Sequence, residues 1–293
     1  MDTQWLRTFV MAAETLNFRK ASEKLLLSQP SVTVHIKLLE EHLGVALFDR
    51  INNRVTLTDA GRLFYGEAEK LLAGLETSVH RMQAFAQGYR RMWTIAISPL
   101  MAETILPYFL RTFMEKHADV ELTIRVEESE MIERLVDSGE VHLGISALDT
   151  ALKGIESIRI YDDPIVFITP TDSYDEESGP PVDVEDALLG NYLLTHHHPV
   201  YWDDLLVILH KHVPGVRTMK VTQAHIAKRF IQEGLGVSFL PHSIVRRELT
   251  EGRLMRPHFD LFPLPTVSTF ILVKKKDELE EDFIREISAY YFG

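Results

Sequence analysis

Between Thr3 and Leu43 the apolar residues fall into three short helical stripes in series, and this limits the fold of the N-terminus more than any other feature of the chain. Trp5, Leu6, Phe9, Val10, Ala13 and Leu16 recur at the spacing of one helix face, with Thr3 the expected N-cap. Asn17 interrupts, and a second stripe runs through Ala21, Leu25 and Leu26. Ser28 as a cap and Pro30 in the first turn then open a third helix. On that helix Val32, Ile36, Leu39 and Leu43 lie within about 60° of one another, which predicts an inward face. The opposite side carries Pro30, Thr33, Val34 and Lys37, flanked by Gln29 and His35. Such a small, polar surface suits a DNA major groove, and equally an ordinary solvated helix face.

The residues that follow favour the groove. After Gly44, an expected C-cap, Leu47-Phe48-Asp49-Arg50 leads into an Asn52-Asn53 turn, and Arg54-Val55-Thr56-Leu57 alternates like a strand, so a two-stranded wing is predicted. Arg50 and Arg54 bracket its turn, where guanidinium groups grip phosphates. Thr58 caps a new helix opening with Asp59, whose free N–H groups make a further phosphate seat. Phe64, Ala68, Leu71, Leu75, Met82 and Phe85 extend that helix to about residue 87, with Gly88 ending it. The stripe packs either on the chain's own core or on a second copy. A domain this small offers little surface to cover about seven turns, which favours a dimer arm. Two reading helices spaced by turns of DNA convert weak half-site contacts into useful affinity.

A chain of 293 residues suits one small domain and one larger one. No apolar run reaches the roughly 18 residues of a membrane span, and the N-terminus shows no basic leader, so a cytoplasmic protein is expected. With no cysteine, disulfides and thiolate chemistry are excluded. The net charge of -12 is unevenly shared: residues 1–66 hold eight Lys and Arg against seven Asp and Glu, the remainder 23 against 36. The acidity therefore lies outside the proposed DNA-binding part, where it does not oppose phosphate contact.

From Trp93 the pattern changes to short strands alternating with amphipathic stretches, an α/β architecture. Strands are predicted at Trp93 to Ser98, Leu122 to Glu127, Val141 to Ser146 and Ile155 to Tyr161. A second set is predicted at Ile165 to Thr169, Tyr192 to Thr195, Met219 to Val221 and Val237 to Leu240, with Val267 to Val273 returning to the first. Two lobes then enclose a cleft, and ligands in such sheets bind outside the carboxyl ends of the strands, beside helix N-termini. Ser98 with Leu100, Ser129, Thr195, and Thr222 with Gln223 occupy those places. Hydroxyls there favour a carboxylate or similar anion, or simply cap helices. His196, His197 and His198 follow Thr195. In an extended segment His196 and His198 share a face; they contact an effector, serve the structure, or ligate a metal whose third ligand the sequence does not identify. Arg256 is a further candidate partner for a carboxylate, or an ordinary surface residue.

Several of these motifs together resemble the DNA-binding signature of LysR-type transcriptional regulators. They are Asn17 through Leu25, Ser28-Gln29-Pro30-Ser31-Val32-Thr33, Leu38-Leu39-Glu40, Leu43-Gly44, Leu47-Phe48-Asp49-Arg50 and Leu57-Thr58-Asp59-Ala60-Gly61. Gly234-Leu235-Gly236-Val237-Ser238-Phe239-Leu240-Pro241 resembles that family's second-lobe strand, so the likeness covers essentially the whole chain. It implies a winged helix-turn-helix over 1–58, a linker (dimerisation) helix over 59–88 and a periplasmic-binding-protein-like regulatory domain over 89–293. In that domain one lobe is expected at about 89–161 with 266–293, the other at about 162–265. The resemblance further implies that Gln29, Pro30, Ser31, Thr33, Val34 and His35 approach the bases of double-stranded DNA while Lys37, Arg50, Arg54 and Thr58 hold its backbone. The family commonly has a basic residue or Gln near Val34 and His35, so the operator preference stays open. Homodimers, and commonly homotetramers, are implied, with no cofactor.

The Thr195 to Pro199 segment with Tyr201 to Leu206, and Arg217 to Gln223 with Lys228 to Ile231, resemble the citrate-synthase-repressor and citrate-responsive subgroup of Gram-positive bacteria. Citrate or another polycarboxylate is the effector that this likeness implies. No nucleophile elbow, phosphate loop or metal-binding helix motif accompanies the scattered Ser, His and Asp, so an enzyme is not expected. A solute-binding protein without DNA affinity is the remaining rival, and the wing argues against it.

Overall fold

The computed structural model describes residues 1–51, 54–104, 106–171 and 183–292, without the side chains of residues 50, 51, 54, 103, 291 and 292. The chain divides into two compact units, Met1–Gly88 and Tyr89–Gly293.

In the first unit, α1 (Thr3–Thr15), α2 (Phe18–Leu25) and α3 (Gln29–Leu43) precede a hairpin of β1 (Phe48–Ile51) and β2 (Arg54–Leu57), and α4 (Asp59–Ala86) follows. Each helix starts on a side chain that accepts its early N–H groups. Asp2 caps α1, one residue before the expected Thr3, because its carboxylate accepts from the Gln4 N–H. Asn17 serves α2, Ser28 serves α3 and Thr58 serves α4. Gly44 ends α3 at φ +72, a left-handed conformation that glycine adopts without steric cost. Val32, Ile36 and Leu39 are fully buried against Leu6, Phe9, Phe18 and Leu47, each contributing about 1.5–3 kcal/mol of hydrophobic burial.

Several polar residues of this segment hold its elements together. Glu40 Oε1 accepts from the Leu47 and Phe48 N–H groups at 2.8 and 3.2 Å, tying the end of α3 to the hairpin. Thr58 Oγ1 donates to the Ala46 carbonyl at 2.8 Å and accepts from Gly61 at 2.9 Å. At Gly61 a Cβ would strike the Leu47 carbonyl oxygen, so only glycine lets α4 start this close to the hairpin.

The second unit opens with β3 (Arg91–Ile97), then a 3-10 turn (Met101–Glu103), α5 (Leu106–Lys116), β4 (Val120–Val126), α6 (Ser129–Ser138) and β5 (Leu143–Ser146). There follow β6 (Glu156–Pro170), α7 (Val184–Gly190), β7 (Tyr192–Thr195), α8 (Trp202–His212), β8 (Arg217–Lys220) and α9 (Ala224–Gln232). The chain ends with β9 (Gly236–Pro241), α10 (His242–Thr250), β10 (Leu254–Met255), β11 (Thr266–Val273) and α11 (Glu278–Phe292). The strand order is β4-β3-β5-β11-β6-β9-β7-β8, with β10 beside β6. β3, β4 and β5 run parallel, as do β7, β8 and β9, and β11 and β6 lie antiparallel between the two sets.

Two predicted strands, Ile155 to Tyr161 and Ile165 to Thr169, are one strand, β6. Asp162-Asp163-Pro164 looks like a breaker, yet β11 pairs through it, Thr266 opposite Pro164 and Val267 opposite Asp163. Asp163 is also held from α10, where the Ser243 N–H reaches both carboxylate oxygens at 3.2 Å. Each half has its own aromatic core: Trp93, Phe109, Phe113 and Phe283 in the first, Phe167, Trp202 and Phe239 in the second. Among the described residues no helix is long and apolar enough to cross a membrane.

Candidate functional site

In the first unit, α2 and α3 pack on α1 and leave the far side of α3 open. Gln29, Pro30, Val34 and Lys37 are exposed, with Val34 at 52%, and Ser31, Thr33 and His35 are half-buried. The Ser28 and Ser31 hydroxyls lie 2.7 Å apart, and Thr33 Oγ1 donates to the Gln29 carbonyl at 3.2 Å. Thr8 Oγ1 donates to the Gln4 carbonyl at 2.7 Å, so at 2.9 Å it accepts from His35 Nδ1–H. His35 is thereby tied to α1. Lys37 pairs with Glu41 at 3.6 Å in the open, a weak link that a phosphate replaces at little cost. The hydroxyl of Thr58 is committed to the fold at both its donor and an acceptor position. Arg50 and Arg54 stand in β1 and β2, but their side chains lie outside the described residues.

Along α4, Leu63, Leu71, Leu75, Val79, Met82 and Phe85 are exposed. An apolar row of this length is unusual on a surface in contact with water alone.

In the second unit the carboxyl ends of β3, β4, β5, β7 and β8 open onto one narrow cavity of about 30 Å³. Ser98 and Leu100 follow β3, Glu128 and Ser129 start α6, Ala147 follows β5, and Thr222, Gln223 and His225 surround the start of α9. His197, Pro199 and Ile244 complete the second half's side. Neither α6 nor α9 has a side-chain cap: their N-cap residues, Glu128 and Gln223, instead bond each other across the cavity, Gln223 Nε2 donating to Glu128 Oε1 at 2.7 Å. Ser129 Oγ accepts from the Ala147 N–H at 3.2 Å. The Ser98 hydroxyl is buried and has no hydrogen-bond partner, an unusual condition for an interior polar group.

The cavity thus brings together Ser98, Leu100, Ser129, Thr222 and Gln223, and leaves out Thr195, His196, His198 and Arg256. Thr195 is buried; its hydroxyl donates to the Met219 carbonyl at 3.4 Å and accepts from His196 Nδ1 at 2.7 Å. His196 sits at φ +65, so the segment bends instead of staying extended, and the alternation that put His196 and His198 on one face does not apply. His198 turns inward, its Nδ1 accepting from the Val200 N–H at 3.2 Å, and burial lowers its pKa to about 3, aided by a charge on His197. Among the described residues there is no cluster of three metal-ligating side chains. Arg256 is exposed just beyond β10. The histidine that does border the cavity is His197, the middle one; with Glu128 and His225 it was not legible beforehand, since nothing local distinguishes it from its neighbours.

Comparison with known proteins places both units. Residues 3–62 match the bacterial regulatory helix-turn-helix proteins of the LysR family, and residues 86–289 match the LysR substrate binding domain. The HTH-type transcriptional regulator CitR of Bacillus subtilis (strain 168) is 41% identical over 292 residues, covering 100% of both chains. The uncharacterized HTH-type transcriptional regulator YxjO of the same organism is 36% identical, covering 95% of this chain and 94% of its own. Among solved structures, full-length CbnR complexed with its target DNA superposes with a TM-score of 0.70 at 22% identity, over 99% of each chain, a likeness of fold. A helix-turn-helix unit followed by an effector-binding domain, matched along its whole length, makes this chain a member of the LysR family, a DNA-binding transcriptional regulator.

Proposed function

We propose that the outward face of α3 reads operator bases, that the cavity at the start of α6 and α9 holds a small carboxylate, and that filling it changes operator affinity. Citrate is the foremost candidate, on the name of the relative CitR and on the likeness of the second half to citrate-responsive regulators. The observation that carries the effector reading is the pair of helix starts without side-chain caps on one cavity, beside a buried hydroxyl that has no partner. N–H groups at helix starts, with the positive end of the helix dipole, favour an anion. Gln29 and Thr33 supply hydrogen bonds to base edges, Val34 an apolar contact for a thymine methyl, and Lys37 a phosphate contact. The exposed row on α4 supports pairing with a second copy, which brings two α3 helices to two half-sites.

Fluorescence anisotropy with DNA from the protein's own promoter region tests this. Specific binding that shifts with citrate, and a loss of about 1–3 kcal/mol of discrimination in Gln29→Ala, are expected. Operator affinity unmoved by citrate, isocitrate and malate alike would remove the effector reading.

A further inference from the structure

Among the described residues bordering the cavity three ionise, Glu128, His197 and His225, and none is a lysine or arginine. A polycarboxylate lodged there meets hydroxyls and helix dipoles, which carry only partial charge, and it meets the Glu128 carboxylate, which repels it. Full balancing charge has to come from an imidazole.

His197 is arranged to supply it. Its Nε2 lies 3.1 Å from the Phe239 carbonyl oxygen, which only accepts, so Nε2 bears the ring hydrogen. Tyr201 Oη donates to the same oxygen at 2.8 Å. Nδ1 of the neutral ring is then a bare lone pair, in a side chain 5% exposed, with no partner among the described residues. A lone pair repels a carboxylate oxygen, whereas the same nitrogen bearing a proton donates to it.

We propose that His197 takes up a proton at Nδ1 when a polycarboxylate fills the cavity, making this ring the cation that selects multiply charged acids. This rests on the carboxylate reading above. In the empty protein burial holds His197 down at about 4, a charge on His196 pushing the same way and the Phe239 carbonyl pulling back, so the ring is neutral at neutral pH. The ionisable groups around it are His196 and His198 in its own segment, Tyr201 just before α8, Asp163 on β6, and Glu128 and His225 at the cavity. Burial keeps Tyr201 protonated and His198 neutral, and it raises the Asp163 carboxyl, so among these buried groups Nδ1 of His197 is the acceptor without a partner on a residue that borders the cavity.

Calorimetric titration of the full chain with tricarballylate, a tricarboxylate without a hydroxyl, and with citrate tests the proposal in buffers of different ionisation enthalpy. Uptake approaching one proton per tricarballylate at about pH 7 is expected, with affinity falling up to about tenfold by about pH 8. In His197→Gln the uptake disappears and the affinity becomes flat with pH. Should that variant fail to fold, ¹⁵N spectra of the unsubstituted protein serve instead, Nδ1 moving to its protonated position when ligand is added. Binding without proton uptake, with Nδ1 unmoved, overturns the role of His197 and leaves the carboxylate reading standing. No binding of either acid overturns both.

Discussion

The two units start their helices differently. In Met1–Gly88 each of the four helices is capped by the residue just ahead of it, Asp2, Asn17, Ser28 or Thr58. In Tyr89–Gly293, α7 has such a cap in Asp183, but α6, α8, α9 and α10 have none. The start of α10 is served from 80 residues away by Asp163, while α6 and α9 open onto the cavity. A reading head fixes its geometry with local hydrogen bonds and presents a finished surface. The second unit leaves the starts of α6 and α9 without side-chain caps, open for the ligand proposed above, and relies on sheet packing for its stability.

Substitutions at the two glycines that touch a backbone carbonyl break this contrast most severely. Gly61→Val drives a side chain into the Leu47 carbonyl, and Gly236→Val into that of Tyr192. Each is expected to cost its own unit about 3 kcal/mol or more. Scanning calorimetry checks whether the damage stays in one unit: Gly61→Val abolishes DNA binding and spares ligand binding, and Gly236→Val destroys ligand binding.

Acid acts on the second unit. His197 and His198 are held neutral, at about 4 and about 3 against an ordinary 6.5, mainly by burial. Between those values and 6.5 the unfolded chain binds the extra protons, so stability is complete above pH 6.5 and falls as pH drops through the window. Denaturant melts at pH 7 and pH 5 should differ by about 1–3 kcal/mol in this unit, with a smaller loss in a His198→Gln variant. Equal stability at both pH values would mean that the two rings are not held neutral.

Ser28→Ala removes a cap and should cost the first unit about 1 kcal/mol. Gln223→Ala, at the equivalent position of α9, should change stability by no more than about 0.5 kcal/mol while altering carboxylate affinity. Comparable stability losses in the two variants would contradict the contrast. The smallest effect expected is on the surface of α3: Lys37→Ala weakens all DNA sequences alike and lowers the slope of log affinity against log salt by about one, as read from binding at several salt concentrations.

The same contrast explains what the amino-acid order disclosed. Ser28, Pro30 and Gly44 mark the bounds of α3 because capping acts over a few residues, and the Val32, Ile36 and Leu39 face follows from helical period. Ser98, Ser129, Thr222 and Gln223 were legible as cavity residues because strand ends followed by helix starts converge in such sheets. His197 was not, since its place depends on the left-handed turn at His196 and on the distant Phe239 carbonyl. The continuity of β6 was not legible for a similar reason: a locally turn-like Asp162-Asp163-Pro164 is kept extended by β11 and α10, far along the chain.

If the cavity and the reading helix belong to one switch, ligand and operator must each alter the affinity for the other by the same factor. Titrating citrate into the free protein and into its operator complex measures that factor directly. Two different dissociation constants are expected, in a ratio that matches the change citrate causes in operator affinity. Identical constants would contradict a single switch.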